Sequence, residues 1–134
     1  MALEPAEALE LWHRVMLRSL HGEAPDLTAR QLALLLHVYL AAPPHTVRGL
    51  AEQLKISKPA VTRALDRLCA LGFLRRKTDE TDRRSLFVQR TVKGSVFLRE
   101  FGDLAAQVGA EIGADLKASD AVAPSSPDPD PPGS

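Results

Sequence analysis

Residues 56–93 read ISKPAVTRALDRLCALGFLRRKTDETDRRSLFVQRTVK and carry the clearest structural signal in the chain. Ser57 can cap a helix at its start, and Pro59 falls in the first turn, where a missing N–H costs nothing. The apolar positions of this helix recur at i, i+4 and i+7 as Val61, Leu65 and Leu68. One face of the helix can therefore pack on a core, while basic and polar side chains occupy the others.

A charged hairpin is predicted directly after this helix. Gly72 ends the helix, and residues 73–77 run extended into a polar turn at residues 78–82. Residues 85–89 return as a second strand. A helix with basic side chains followed by a basic hairpin is the arrangement of a DNA-recognition helix and its wing.

A shorter helix comes before the recognition helix. Thr46 can cap it, and its apolar residues repeat at helical spacing: Val47, Leu50, Ala51 and Leu54. Only Lys55 and Ile56 then separate it from Ser57. Two short helices joined by so tight a turn predict a helix-turn-helix, which we place at residues 46–71, with the wing at residues 73–90.

Longer amphipathic helices are predicted on both sides of this segment. The first runs roughly from Glu4 to Leu20, with the stripe Leu9, Trp12, Val15, Met16 and Leu20. The next begins with a capping box of Thr28 and Gln31, is almost entirely apolar from Leu32 to Leu40, and ends before Pro43-Pro44. The last is capped by Thr91 and has the stripe Phe97, Phe101, Leu104, Val108, Ile112 and Leu116.

The first and last helices offer more apolar surface than a small winged domain can cover. This excess predicts dimerisation through the two chain ends, with the alternative that both helices fold back on their own domain. The predicted fold is mainly α with a small β-hairpin, a winged helix-turn-helix flanked by N- and C-terminal dimerisation helices. The 134 residues, 45% of them hydrophobic, predict one domain at residues 1–117 and a disordered Pro-rich tail at residues 118–134.

The charge of the chain is zero overall but is unevenly distributed. Residues 46–93 hold twelve basic and five acidic residues, a net +7, and the rest of the chain carries −7. A basic centre between acidic ends suits a protein that presents one face to a polyanion. The alternative is that the basic segment is only a solvated surface.

Several classes of function find no support in the sequence. There is no phosphate loop, nucleophile motif or HExxH, which predicts a non-enzyme without a cofactor. The histidines, which are His13, His21, His37 and His45, lack ligand spacing, so no metal site is predicted. Cys69 is the only cysteine, and neither a membrane span nor a signal peptide is evident, so we expect a cytoplasmic protein without disulfides.

Residues 4–117 resemble the MarR family of bacterial transcription regulators. The most specific part is Asp82-Arg83-Arg84 followed by Thr91-Val92-Lys93-Gly94, similar to the D-x-R wing motif and the L-T-x-x-G helix start of that family. Arg90 stands where the family has Leu. The resemblance implies a homodimer on double-stranded DNA, with recognition helices in successive major grooves and wing arginines in flanking minor grooves.

The residue types suit these roles. Arg84 has the reach and charge to enter a narrow minor groove, and Asp82 can accept a hydrogen bond from its guanidinium. Arg63 is the first candidate for a base contact, since a guanidinium can bond bidentately to guanine. The predicted DNA-binding residues are Arg48, Ser57, Lys58, Pro59, Thr62, Arg63, Arg67, Arg75, Asp82, Arg83 and Arg84, with Lys58, Arg48 and Arg75 interpreted as phosphate contacts.

The sequence predicts a DNA-binding transcription regulator, acting as a repressor, with three questions left open. The resemblance implies a pocket for a small aromatic effector, for which the candidates are Trp12, His13, Met16, His37 and Tyr39, although Trp and Met at helical spacing are more often core. Cys69 lies near basic residues, which suggests a thiol-based redox sensor as an alternative to a buried structural cysteine. A winged-helix module that binds an acidic protein partner is the other alternative.

Overall fold

The computed structural model describes residues 2–82, 84 and 86–121, which form five helices and one antiparallel hairpin. The elements are α1 (Pro5–His21), α2 (Ala29–Leu40), α3 (Val47–Leu54), α4 (Lys58–Ala70), β1 (Leu74–Thr78), β2 (Leu86–Arg90) and α5 (Val92–Ala121). The predicted fold class, mainly α with a small hairpin, is confirmed. The chain divides into two compact units, a helical unit up to Arg18 and from Asp103 onward, and a winged unit from Ser19 to Gly102.

The core of the winged unit forms around α2. Three of its side chains, Leu34, Leu35 and Val38, are completely buried. They pack in one cluster with residues of α3, α4 and the hairpin: Leu50, Val61, Leu65, Leu68, Phe73, Leu74 and Val88. The nearly continuous apolar run of α2 predicted burial on most sides, but Leu40 is 82% exposed because it occupies the last turn.

Polar caps begin the helices where the sequence predicted them. The Thr28 hydroxyl accepts from the Gln31 N–H at 3.2 Å, and the Gln31 side chain accepts from the Thr28 N–H at 2.9 Å, which completes the capping box. Thr46 caps α3 by accepting from the Gly49 N–H at 3.0 Å. These bonds stabilise the first turns of α2 and of α3, the first helix of the helix-turn-helix.

The two strands pair from Leu74 with Arg90 to Thr78 with Leu86. Strand β1 begins one residue later than expected because Phe73 belongs to the turn, where its N–H donates to the Leu68 carbonyl at 2.9 Å. Its ring is buried and stacks on Phe97, with centroids 4.5 Å apart. Gly72 adopts φ +79°, a conformation that favours glycine, and this turns the chain from α4 into the strand.

The helical unit pairs α1 with the C-terminal half of α5. Arg14 reaches Asp115 at 3.0 Å and Arg18 reaches Glu111 at 2.5 Å, an order of contacts that makes the two helices antiparallel. The buried residues of this unit are Val15, Val108 and Ile112.

The terminal helices leave much of their apolar surface exposed, and the last one extends further than expected. Of the predicted stripe on α1, Val15 alone is buried, whereas Leu9, Trp12, Met16 and Leu20 are exposed. Helix α5 continues to Ala121, the last residue of the described part, and so extends past the expected boundary after residue 117. The rest of the predicted tail, residues 122–134, lies outside the described residues.

Candidate nucleic-acid interface

Helix α4 presents a polar face opposite its core-facing side. The buried side consists of Ala60, Val61, Ala64, Leu65 and Leu68. On the other side, Lys58, Thr62, Arg63 and Arg67 are exposed. The Ser57 hydroxyl caps the helix by accepting from the Ala60 N–H at 3.2 Å, and Pro59 occupies the first turn, as predicted. The helix is therefore fixed by its apolar side, which leaves its basic side available to a ligand.

A tight turn sets α4 against α3. Lys55 adopts the left-handed conformation at φ 57°, and the Ile56 N–H donates to the Ala51 carbonyl at 3.2 Å. The two helices pack on each other over this turn, which forms the predicted helix-turn-helix. Arg48 lies exposed near the start of α3, where its Nε is 3.5 Å from Glu52 of the same helix. A pair so open to solvent is weak, and Arg48 remains available to a phosphate.

The hairpin has two chemically different faces. Leu74 and Val88 point into the core. Arg75 and Lys77 alternate with Leu74 along β1 and are exposed, and the Arg75 Nε donates to the Gln89 side chain at 3.0 Å across the strand pair. The outer face of the hairpin is therefore basic, as a wing that contacts phosphates requires.

Short hydrogen bonds shape the loop at the tip of the hairpin. Asp79 accepts from the Thr81 N–H at 2.9 Å and from the Thr81 hydroxyl at 2.8 Å, and these bonds lower the pKa of Asp79 below its ordinary value. Asp82 accepts from the backbone N–H of Arg84 at 3.0 Å. The sequence had suggested a bond to the Arg84 guanidinium. The backbone bond helps to position the main chain of Arg84, and the bond to the guanidinium stays a prediction.

The ten predicted DNA-binding residues that the structure describes all fall in the winged unit. The eleventh, Arg83, lies outside the described residues. Counted from the sequence, this unit has fourteen basic and eight acidic residues, a net +6, and the helical unit has three basic and nine acidic residues, a net −6. Positive charge is therefore concentrated in the unit that contains the helix-turn-helix and the hairpin.

Not every basic residue of this unit is free to meet a ligand. Arg90 donates from Nε to the Val38 carbonyl at 3.1 Å and from Nη2 to the Ala41 carbonyl at 3.3 Å, which satisfies the end of α2. Its guanidinium also lies 5.6 Å from the centre of the Tyr39 ring. The sequence placed Arg90 in the basic segment and distinguished it only as the residue that stands where the family has Leu.

The start of α5 is joined to α2 and to the turn after α4 by a network that the sequence did not reveal. The Tyr39 hydroxyl accepts from the Thr91 N–H at 3.0 Å and shares its proton between the carbonyls of Thr91, at 2.8 Å, and Phe73, at 3.1 Å. The Thr91 hydroxyl accepts from the Gly94 N–H at 3.0 Å, as a predicted cap should, and donates to the Gly72 carbonyl at 2.7 Å. These hydrogen bonds join the base of the wing to the core.

The five effector candidates do not all belong to one unit. Trp12, His13 and Met16 are exposed on α1 of the helical unit. His37 and Tyr39 lie on α2 of the winged unit, where His37 contacts the Gln53 side chain. The hydroxyl of Tyr39 is committed to backbone groups, so its main role in the structure is to hold the fold.

Cys69 is half-buried in α4. Burial raises the pKa of its thiol, and this outweighs the nearby guanidinium of Arg76, which lowers it. The thiolate is the reactive form of cysteine, and burial at this position disfavours its formation.

Outside the candidate interface, the helical unit contains a groove with several charged side chains. A shallow groove in the helical unit is lined by Ala6, Glu7, Glu10, Arg14, Ile112, Asp115 and Leu116. A hydrogen bond from Arg14 lowers the pKa of Glu10 in this groove. Among the described residues, no cluster of three His, Cys, Asp or Glu side chains is arranged to hold a metal ion, and no helix is long and apolar enough to cross a membrane.

Comparisons with known proteins agree with this architecture. A sequence profile of the MarR family matches residues 26–85. A transcriptional regulator from Thermotoga maritima is 28% identical, with 87% of this chain and 79% of that chain covered and a TM-score of 0.65. A comparison with curated protein sequences gave no match.

Two other similar structures contain DNA. A cysteine-to-serine mutant of MarR from E. coli, complexed with operator DNA, is 25% identical and covers 82% of this chain and 74% of that chain, with a TM-score of 0.60. FabT from Streptococcus pneumoniae, also in complex with DNA, is 23% identical and covers 78% and 71%, with a TM-score of 0.61.

Proposed function

We infer that the chain belongs to the MarR family of winged-helix regulators, and on that premise we propose that it is a homodimeric, sequence-specific DNA-binding transcription repressor. The observation that carries the proposal is helix α4. The apolar side of this helix is buried, and its first turn is capped. Lys58, Thr62 and Arg63 are exposed on the other side. A helix held this way can enter a major groove, where a guanidinium such as that of Arg63 can recognise guanine.

The hairpin supplies the second part of the proposed interface. Its outer face carries Arg75 and Lys77, and Arg84 is exposed in the loop, fixed at its backbone by Asp82. An arginine beside a recognition helix can reach the adjacent minor groove, while residues such as Arg75 and Arg48 neutralise phosphates. Arg83 is included in the proposal on the strength of the sequence motif.

Dimerisation is supported by an exposed apolar stripe on α1. Leu9, Trp12, Met16 and Leu20 lie on one side of the helix and are 71, 56, 40 and 64% exposed. Large apolar side chains grouped in this way mark an interface, and a second copy of the chain carries the same stripe and can cover it symmetrically. We propose that the two copies then place their α4 helices in successive major grooves.

Repression requires only that the bound dimer occupies its DNA site, so the proposal needs no further activity from the described residues.

We extend the proposal to release by a small aromatic effector, for which Trp12, His13 and Met16 offer aromatic and apolar contacts on α1. An effector bound there would act on the same stripe as the proposed dimer contact and so would couple ligand binding to DNA affinity.

Selection of DNA from a random pool, combined with the mass of the complex, tests the proposal. We expect a symmetric enriched site bound by two chains, with half-sites about one helical turn apart. A matched control replaces both Arg63 and Arg84 with Ala and should enrich no sequence. Failure of the wild-type chain to enrich any duplex would overturn the proposal, and capture of acidic proteins instead would favour the protein-interaction alternative.

A further inference from the structure

An acidic residue lies in the middle of the exposed face of α4. Asp66 is four residues after Thr62 and three after Arg63, so it is adjacent to both on the helix surface. Its side chain is 63% exposed. A carboxylate at this position would repel the phosphates that the rest of the face is suited to meet. The position of Asp66 is therefore unfavourable for DNA binding unless its charge has another use.

The partner of Asp66 comes from the hairpin. Arg76 alternates with Arg75 along β1, and so it lies on the same side as the buried Leu74, facing α4. Its Nη2 donates to Asp66 Oδ1 at 2.6 Å, and its side chain is 30% exposed. Among the described residues of the winged unit, this is the ion pair that joins two different elements. The Arg48–Glu52 pair, by contrast, lies within α3.

The hairpin is also anchored by Leu74, which packs in the core with residues of α4, and by contacts through β2 and the base of the wing. Thr46 forms a bridge with Phe87, the Val88 N–H donates to the His45 carbonyl at 2.8 Å, and Arg90 holds the end of α2. These contacts link the hairpin to α2 and α3. The ion pair adds a link from the middle of β1 to the polar face of α4, close to the proposed DNA contacts.

We infer that Asp66 and Arg76 are positioning residues, which fix the hairpin relative to α4 so that Arg63 and Arg84 reach the same duplex together. This inference rests on the proposed function and deepens it. A charge-assisted hydrogen bond is directional, so it constrains the angle of the strand on the helix more than a contact between apolar groups does. Neither residue needs to touch DNA for this role.

Electrostatics and positioning predict opposite effects for Asp66→Asn. If Asp66 were only a surface charge, its removal would reduce repulsion and increase the affinity for DNA. If Asp66 positions the hairpin, affinity for the selected duplex should fall about three- to tenfold, because coupled contacts are lost together. The sign of the change therefore separates the two explanations.

The experiment measures the affinity of the full chain for the selected duplex and for random DNA. Asp66→Asn and Arg76→Gln should each weaken binding to the selected duplex, and Asp66→Arg combined with Arg76→Asp should restore at least half of the lost affinity. Glu100→Gln is the matched control, since it removes an exposed acid of the same unit on α5 and should leave affinity unchanged. Melting temperatures should change little, since an exposed ion pair contributes little stability.

A readout specific to the wing completes the test. Arg84→Ala should weaken binding of the wild-type chain about tenfold but of the Asp66→Asn chain only about threefold, because the misplaced wing contributes less. Equal losses in both backgrounds, or tighter binding by Asp66→Asn, would overturn the positioning role while leaving the proposed function intact. If the wild-type chain binds no DNA, both the proposed function and this inference are wrong.

Discussion

Gly94 is the residue whose size the fold restricts most clearly. A Cβ at this position would collide with the Phe73 carbonyl oxygen and the Tyr39 hydroxyl, both of which belong to the network at the base of the wing. We expect Gly94→Ala to lower the free energy of unfolding by about 1 to 3 kcal/mol, because backbone and a bonded hydroxyl must both shift. Chemical denaturation followed by circular dichroism measures the change.

Gly102 provides the control for this substitution in the same helix. A Cβ there meets no atom within 4 Å, so Gly102→Ala should raise the free energy of unfolding by up to about 1 kcal/mol through helix propensity alone. If both variants were stabilised, the close approach at Gly94 would have no energetic consequence, and our account of the junction would be wrong.

At the scale of elements, the sequence predicted the helices well because their signals are local. Thr28, Thr46, Ser57 and Thr91 each cap the helix that the sequence assigned to them. A cap needs only a hydroxyl and an N–H two or three residues away, both of which are visible in the sequence. The shift of β1 by one residue was not predictable, since it depends on the bond from the Phe73 N–H to the Leu68 carbonyl in the turn.

The contacts between elements were not accessible to the same reasoning. The pairing of Asp66 with Arg76 and the bonds from Arg90 to α2 depend on which side chains meet after folding. Charge alone placed Arg76 and Arg90 in the basic central segment and gave neither a role of its own. The structure assigns both to internal links, while Lys58, Thr62 and Arg63 remain exposed candidates, as the helical periodicity indicated.

The stability of the contact between α1 and α5 should depend on pH. The hydrogen bond from Arg18 lowers the pKa of Glu111 below its ordinary value of 4.5. Because the folded-state pKa is lowered, the stabilisation is complete above the unfolded value and is lost as the pH falls through the folded value. Arg18→Gln should therefore lower the melting temperature at pH 7, and its difference from the wild-type chain should shrink as the pH falls through the lowered pKa of Glu111.

Thermal unfolding of both chains from pH 3 to pH 8 measures this dependence. Arg99→Gln removes an exposed cation elsewhere on α5 and should produce no pH-dependent difference of this kind. A difference between the Arg18→Gln and wild-type chains that stays constant down to pH 3 would show that Arg18 acts by packing rather than through Glu111.

At the scale of the whole molecule, the charge separates by unit, with +6 in the winged unit and −6 in the helical unit. A net charge of zero thus conceals a chain that is suited to polyanion binding through one part only. Composition alone would have excluded DNA as a partner, whereas the distribution of charge along the sequence favoured it. The structure adds that two of these charges, Arg76 and Arg90, are paired with other groups of the protein.

This distribution predicts a strong dependence of DNA binding on salt. A dimer that neutralises on the order of six to ten phosphates should lose about a thousandfold or more in affinity between about 50 and 200 mM salt, because bound phosphates release condensed counterions. Lys58→Ala should reduce the salt dependence and weaken selected and random duplexes equally, since a phosphate contact does not read sequence. Titrations of both duplexes at several salt concentrations measure these effects.

Arg63→Ala distinguishes base recognition from phosphate binding in the same titrations. Its loss should cost about 1 to 3 kcal/mol on the selected duplex and much less on random DNA, because bidentate bonding to guanine is lost only where guanine is present. Equal losses on both duplexes would assign Arg63 to the phosphates and leave sequence recognition to other residues of α4. A wild-type affinity that barely responds to salt would contradict the interface as a whole, since the basic residues assigned to phosphates would then contact none.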